Sequence, residues 1–192
     1  MRHLRGAPLA LALLLCGCPG PGGGAPTPQP TRGAQERPDP RRAQAMEAAK
    51  ALGEQLKARL GQAIQEGGLG AGIETCKVAA PAIGTKLSGE RSLRLGRTSF
   101  KLRNPANAVP TWAQAEVDAR RETPSFSEGP DGTLRALLPI RMAGLCVACH
   151  GPRESLSQEV QEALAQRYPE DRATGFGEGE LRGWFWVEVP QE

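Results

Sequence analysis

Apolar residues recur along this chain at two different periods, and the change of period divides it. Ala49, Leu52, Leu56, Leu60 and Ala63 stand three or four apart, which predicts a helix with one apolar face. Gly67-Gly68 predicts its end. Leu69, Ile73, Cys76, Ala80 and Ile83 repeat the spacing and predict a second helix with Cys76 on its buried face. Pro81 has no amide donor, so it predicts a kink or an end there.

The period then falls to two. Leu93 and Leu95 alternate with Arg94, and Phe100 and Leu102 alternate with Lys101. The alternation slips between Gly96 and Ser99, which predicts a bulge in one long strand, or two short ones, over residues 92–103. Asn104-Pro105-Ala106-Asn107 predicts a turn. Residues 111–121 read as a helix carrying Trp112, and residues 125–132 as a loop. Residues 134–142 read as a strand in which Pro139 marks an edge or a bulge. Residues 158–167 read as a helix capped by Ser157. Trp184, Phe185, Trp186, Val187 and Val189 form a last strand. Strands separated by helices, with hairpin-like gaps, define an α+β domain with an antiparallel sheet over residues 41–192.

The residues before it are of another kind. Arg2, His3 and Arg5 precede an unbroken Leu/Ala run over residues 9–15, too short to span a bilayer. Residues 1–17 therefore read as an export signal. Leu15-Cys16-Gly17-Cys18 resembles a bacterial lipobox, which implies cleavage before Cys18 and lipid attachment there. The expected location is a bacterial membrane facing the periplasm, and Pro19 in place of an acidic retention signal points to the outer membrane. Residues 18–40 hold seven Pro and five Gly from Pro19 onward and no large apolar residue, the composition of a disordered tether.

Composition sharpens this picture in two ways. The net charge of +3 over 192 residues gives no basic excess for nucleic acid. Five Cys are too few for a disulfide scaffold, and there are only two His, of which His3 leaves with the signal.

Cys146-Val147-Ala148-Cys149-His150 is the C-x-x-C-H pattern of covalent haem c attachment. Two thiols three residues apart can add to the two vinyl groups of one haem, and the adjacent His can reach the iron. Export fits, because haem is attached to this pattern outside the bacterial cytoplasm. A Cys146–Cys149 disulfide, a thioredoxin-like pair and a zinc site with Cys76 are the competing readings. A βαβ context is not visible for the second, and adjacent Cys149 and His150 suit one tetrahedral ion poorly.

The other axial position can be narrowed by counting. With His150 the last histidine, a second His ligand within one chain is excluded. Met46, Met142, Cys76, a Lys, water or an open site remain. Cys76 is the thiol left over after lipid and haem are assigned, and the bland reading is a small buried apolar residue.

Several stretches resemble the small monohaem c-type domain with a PAS-like fold, formerly a domain of unknown function, which also occurs as the sensing region of bacterial signalling proteins. They are Ile73-Glu74-Thr75-Cys76 with Ala80-Pro81, residues 97–107, residues 146–151, and Tyr168-Pro169-Glu170-Asp171 with Gly175 and Arg182-Gly183. The resemblance covers residues 43–190. It implies a PAS-like antiparallel sheet flanked by helices around one covalent haem c, with His150 and Cys76 as axial ligands. Lys77 departs from the family, which carries an uncharged polar residue there, and the last strand is unusually aromatic.

Around such a site Arg97, Lys101 and Arg103 are candidates for the haem propionates, against the alternative of a solvated strand face. Lys77 is a candidate for keeping the sulfur ionised, or else points to solvent. Trp112, Tyr168, Trp184 and Trp186 either line the haem or fill the core. Two function classes stay open. One is electron transfer to a redox partner protein. The other is redox or gas sensing through a partner, in which Cys76 leaves the iron and a small gas ligand binds. An enzyme is not expected, since no second His is left to serve a distal site.

Overall fold

A computed structural model describes residues 39–191. The expected export signal, the lipid acceptor Cys18 and the tether up to residue 38 lie outside them. The fold is α+β: four helices and one four-stranded antiparallel sheet of order β1-β4-β3-β2.

The first helix, α1 (Pro40–Arg91), starts one residue inside the stretch read as tether. The Asp39 carboxylate accepts the Arg41 amide at 2.9 Å, and Pro40 occupies a position where its missing N–H costs nothing. Helix α1 breaks where the glycine pair predicts. Gly67 and Gly68 leave helical geometry, and Gly68 has φ +74°, a conformation that a Cβ would strain.

The limb after the break returns along the limb before it. A Cβ on Gly72 would stand 2.9 Å from Ile64 and 3.0 Å from Leu60, so this glycine sets the close approach. Pro81 does not end the helix, which runs on to Arg91. Leu87 and the partly buried Ile83, beyond the proline, pack with Ala45, Ala48, Ala49 and Leu52 of the first limb. That packing outweighs the lost hydrogen bond of an internal proline, about 3 kcal/mol.

Strand β1 (Arg94–Thr98) is shorter than the alternation predicts. At Ser99 the chain leaves the sheet, and the Ser99 hydroxyl donates to the Arg182 carbonyl at 2.7 Å. The expected bulge in this strand is absent, because β1 pairs regularly with β4 (Leu181–Val189) from Arg94↔Glu188 to Thr98↔Trp184. A short helix α2 (Gln114–Asp118) follows a 3-10 turn at Thr111–Ala113, where one helix was expected. Residues expected as loop contain strand β2 (Ser125–Glu128), a four-residue edge strand against β3 (Leu134–Arg141). Its pairing stops at Ser125↔Leu137, so Pro139 lies where one side of β3 is open.

The bulge lies elsewhere. Ile140 pairs with Gly183 and Arg141 with Leu181, leaving Arg182 of β4 as the extra residue. Helices α3 (Gly144–His150) and α4 (Gln158–Arg167) come between β3 and β4, and the Ser157 side chain caps α4 by accepting from the Val160 amide at 3.3 Å.

The sheet parity sorts the aromatic residues. Leu95, Ala136, Leu138, Val187 and the partly buried Phe185 face α1. Leu137 and Trp184 face the other way, onto Ala113, Val117 and Trp112. The Trp184 indole donates to the Arg121 carbonyl at 2.7 Å, so this ring is core.

Candidate functional site

A cavity of about 480 Å³ opens beside the α1 face of the sheet, within the range of cofactor pockets. The first limb of α1 supplies Leu56, Leu60 and Ile64, and the second supplies Ile73 and Cys76. The sheet supplies Arg97, Ile140, Arg182 and Phe185, and α3 supplies Cys146, Cys149 and His150. The three residues of the C-x-x-C-H pattern and the leftover Cys76 thus border one space. Cys76, Cys146 and Cys149 carry free thiols.

Helix α3 is closed by Gly151. Its amide donates to the Val147 carbonyl at 2.7 Å, and a Cβ there would come within 2.7 Å of the same oxygen. His150 is then fixed by the loop before β4. Its Nδ1 lies 2.7 Å from the Ala173 carbonyl, an acceptor only, so Nδ1 carries the proton and Nε2 keeps its lone pair. Burial holds His150 well below its ordinary value near 6.5, helped by the cations Arg103 and Arg182. It is a neutral imidazole with a bare nitrogen, the form in which His binds metal.

Arg103 braces this arrangement. Its guanidinium pairs with Asp171 at 3.2 Å and donates to the Cys149 and Ala173 carbonyls, while Asp171 accepts the Ala173 amide at 2.8 Å. Both side chains are nearly buried, 11% and 7% exposed. Arg103 therefore lines the cavity with most of its donors already spent.

Arg97 differs. Among the described residues its guanidinium has no hydrogen bond or ion pair, although burial depresses its basicity. Arg182, missed in the sequence, reaches the cavity from the β4 bulge and donates to Ser99 Oγ at 2.8 Å. Burial and the neighbouring Arg103 and Arg97 bring its pKa down to about 10. Arg182 stands inside the quoted Arg-Gly pair, but its aim depends on a bulge that periodicity does not reveal. Lys101 is not on this wall; its ammonium donates to the Thr174 carbonyl at 3.2 Å and lies over the Phe176 ring.

The wall carries Lys57, Arg97, Arg103, Arg141 and Arg182 and no Asp or Glu. An apolar body that carries anionic groups fits such a lining, and Arg97, without a partner among the described residues, fits a carboxylate in particular.

Burial raises the Cys76 thiol above its ordinary value of 9.0, while Arg97 and then Arg103 pull it down. Lys77 has no part in this. Its ammonium donates to the Arg167 carbonyl at 3.2 Å and sits over the Tyr168 ring. Tyr168 does border the cavity, where burial and Cys76 push its pKa up to about 12. Trp112, Trp184 and Trp186 do not; Phe185 takes the place expected of them. Of the two methionines weighed, Met46 is 52% exposed and off the wall, whereas Met142 is buried and on it.

An α+β fold whose basic cavity is bordered by three free thiols and a neutral imidazole fits a small cofactor-binding domain. The Tll0287-like family model matches residues 32–190, and the chain belongs to that family. The fold is similar to the crystal structure of the cyanobacterial heme-protein Tll0287, with TM-score 0.56 and 23% identity, covering 80% of this chain and 98% of that one. No curated protein matches the chain.

Proposed function

We propose that this protein is an exported c-type haem protein, lipid-anchored through Cys18, that carries one covalent haem and exchanges electrons with a partner protein outside the cytoplasm. The observation that carries the reading is the shared cavity: Cys146, Cys149, a bare His150 Nε2 and Cys76 border one space whose wall is apolar and cationic. The heme-protein named among its structural relatives supports it. Cys146 and Cys149 would hold the porphyrin, His150 and Cys76 would ligate the iron, and Arg97 and Arg182 would pair with the propionates. Bound haem supplies a one-electron couple, and a thiolate ligand biases it towards the ferric state. Arg103 and Asp171 hold His150 by fixing the carbonyl that orients its ring.

A second reading, redox or gas sensing through a partner, draws on Cys76. Burial favours its neutral thiol, so as a ligand this sulfur would be held weakly and would take up a proton on leaving. The test for both is the absorption spectrum of the purified haem protein in each oxidation state. Cys76→Ser should shift the ferric spectrum, and an unchanged spectrum removes Cys76 as a ligand. Ready binding of carbon monoxide by the ferrous wild type supports sensing, and an inert six-coordinate ferrous form supports electron transfer alone.

A further inference from the structure

Helix α4 comes after the C-x-x-C-H helix α3, across residues 151–157 with a 3-10 turn at Arg153–Ser155, and lies against the α1 limb that carries Cys76. The contact has an apolar centre: Ile73 of the limb packs with Val160, Leu164 and Tyr168, and Cys149 packs against the same cluster. Polar ties stand at both of its ends. Glu159 Oε1 accepts the Gly70 amide at 2.6 Å, close after the Gly67-Gly68 break. That amide belongs to the first turn of the limb, where helical N–H groups lack partners and a carboxylate is favoured. At the other end Arg167 Nε lies 2.6 Å from Glu74 Oε2, and Lys77 Nζ donates to the Arg167 carbonyl at 3.2 Å. Glu74 and Lys77 flank Cys76 in the sequence. The Arg167–Glu74 pair is about half exposed and weak alone, but it acts together with the cap and the packed centre.

We propose that Glu159 and Arg167 are positioning residues for Cys76. They clamp residues 70–77 onto α4, the next α-helix after the C-x-x-C-H segment, and so hold the sulfur within reach of the iron. This rests on the reading of Cys76 as an axial ligand. Through α4 the clamp ties the limb bearing one ligand to the segment that leaves the other.

The test uses the holoprotein and imidazole, which competes for a loosely held axial position. In Glu159→Ala/Arg167→Ala, haem stays covalently attached, the ferric spectrum moves part of the way to that of Cys76→Ser, and imidazole affinity rises about tenfold, which equals about 1.4 kcal/mol. Glu159→Gln keeps an acceptor for Gly70 and loses the charge, so it gives a smaller rise, about threefold; it serves also if the double variant does not accumulate. Arg41→Ala is the control. It removes contacts to Asp39 and the Gly132 carbonyl at the far end of α1, and should lower thermal stability without changing imidazole affinity. Wild-type imidazole affinity in both clamp variants, with Cys76→Ser binding more tightly, overturns the clamp and leaves the ligand reading intact. If Cys76→Ser itself matches wild type, the ligand reading fails and the clamp with it. A rise in Arg41→Ala equal to that in the clamp variants reduces the effect to general destabilisation and also overturns the proposal.

Discussion

Substituting Arg103 by Met should be among the costlier single changes outside Cys76, Cys146, Cys149 and His150. The side chain is 11% exposed and its partner Asp171 is 7% exposed, so removal of the guanidinium leaves a carboxylate in a nearly water-free place. It also strips a donor from the Cys149 and Ala173 carbonyls. Severing a buried pair on one side costs about 3–5 kcal/mol. In a domain of this size each kcal/mol lowers the melting temperature by about 2–4 °C, so the drop should be about 6–20 °C. The Ala173 carbonyl also receives His150 Nδ1, so the ferric spectrum should broaden in the same variant as the ring loses its fixed orientation. Thermal unfolding followed by circular dichroism measures the first effect. Arg103→Met/Asp171→Leu should recover part of the loss, because no unpaired charge remains. A loss under about 1 kcal/mol in the single variant would mean the pair behaves like a surface ion pair, and the brace would be refuted.

Two further outcomes follow from the same geometry. Gly151→Ala pushes a Cβ onto the Val147 carbonyl and should cost about 1–3 kcal/mol in urea unfolding; an unchanged midpoint would show that the end of α3 relaxes freely. In haem-free protein His150 has a folded pKa below its unfolded value, so as pH falls through about 6.5 the unfolded chain takes up a proton that the folded chain refuses. This contribution is complete above that pH and is lost below it, by up to about 1.4 kcal/mol per pH unit until the folded value is reached. His150→Gln should flatten the stability profile between about pH 7 and 5.5, and parallel profiles would contradict a buried neutral ring.

Which residues gather at the cavity was more legible in the sequence than the frame that holds them. The C-x-x-C-H spacing is local and singled out Cys146, Cys149 and His150, counting cysteines singled out Cys76, and the fold brings all four to one cavity. Helix α4 with its Ser157 cap and the aromatic β4 were equally plain, because their periods and caps are local. Other features depend on tertiary contacts. Pro81 reads as a kink or an end, and only the packing of Ile83 and Leu87 on the first limb shows that the helix runs on. Strand β2 offers a single large apolar residue, Phe126, and exists by pairing with β3 rather than by its own pattern. The bulge was expected in β1 but falls in β4, where it turns Arg182 into the cavity. Sheet parity, invisible without the register, sends Trp184 to the core and Phe185 to the α1 face.

The most direct measurement is the mass of the denatured protein after expression with a c-type haem maturation system. The account predicts a mass increased by one haem, which survives unfolding and is lost in Cys146→Ser/Cys149→Ser. A wild-type chain that emerges from the same cells without added mass would contradict it.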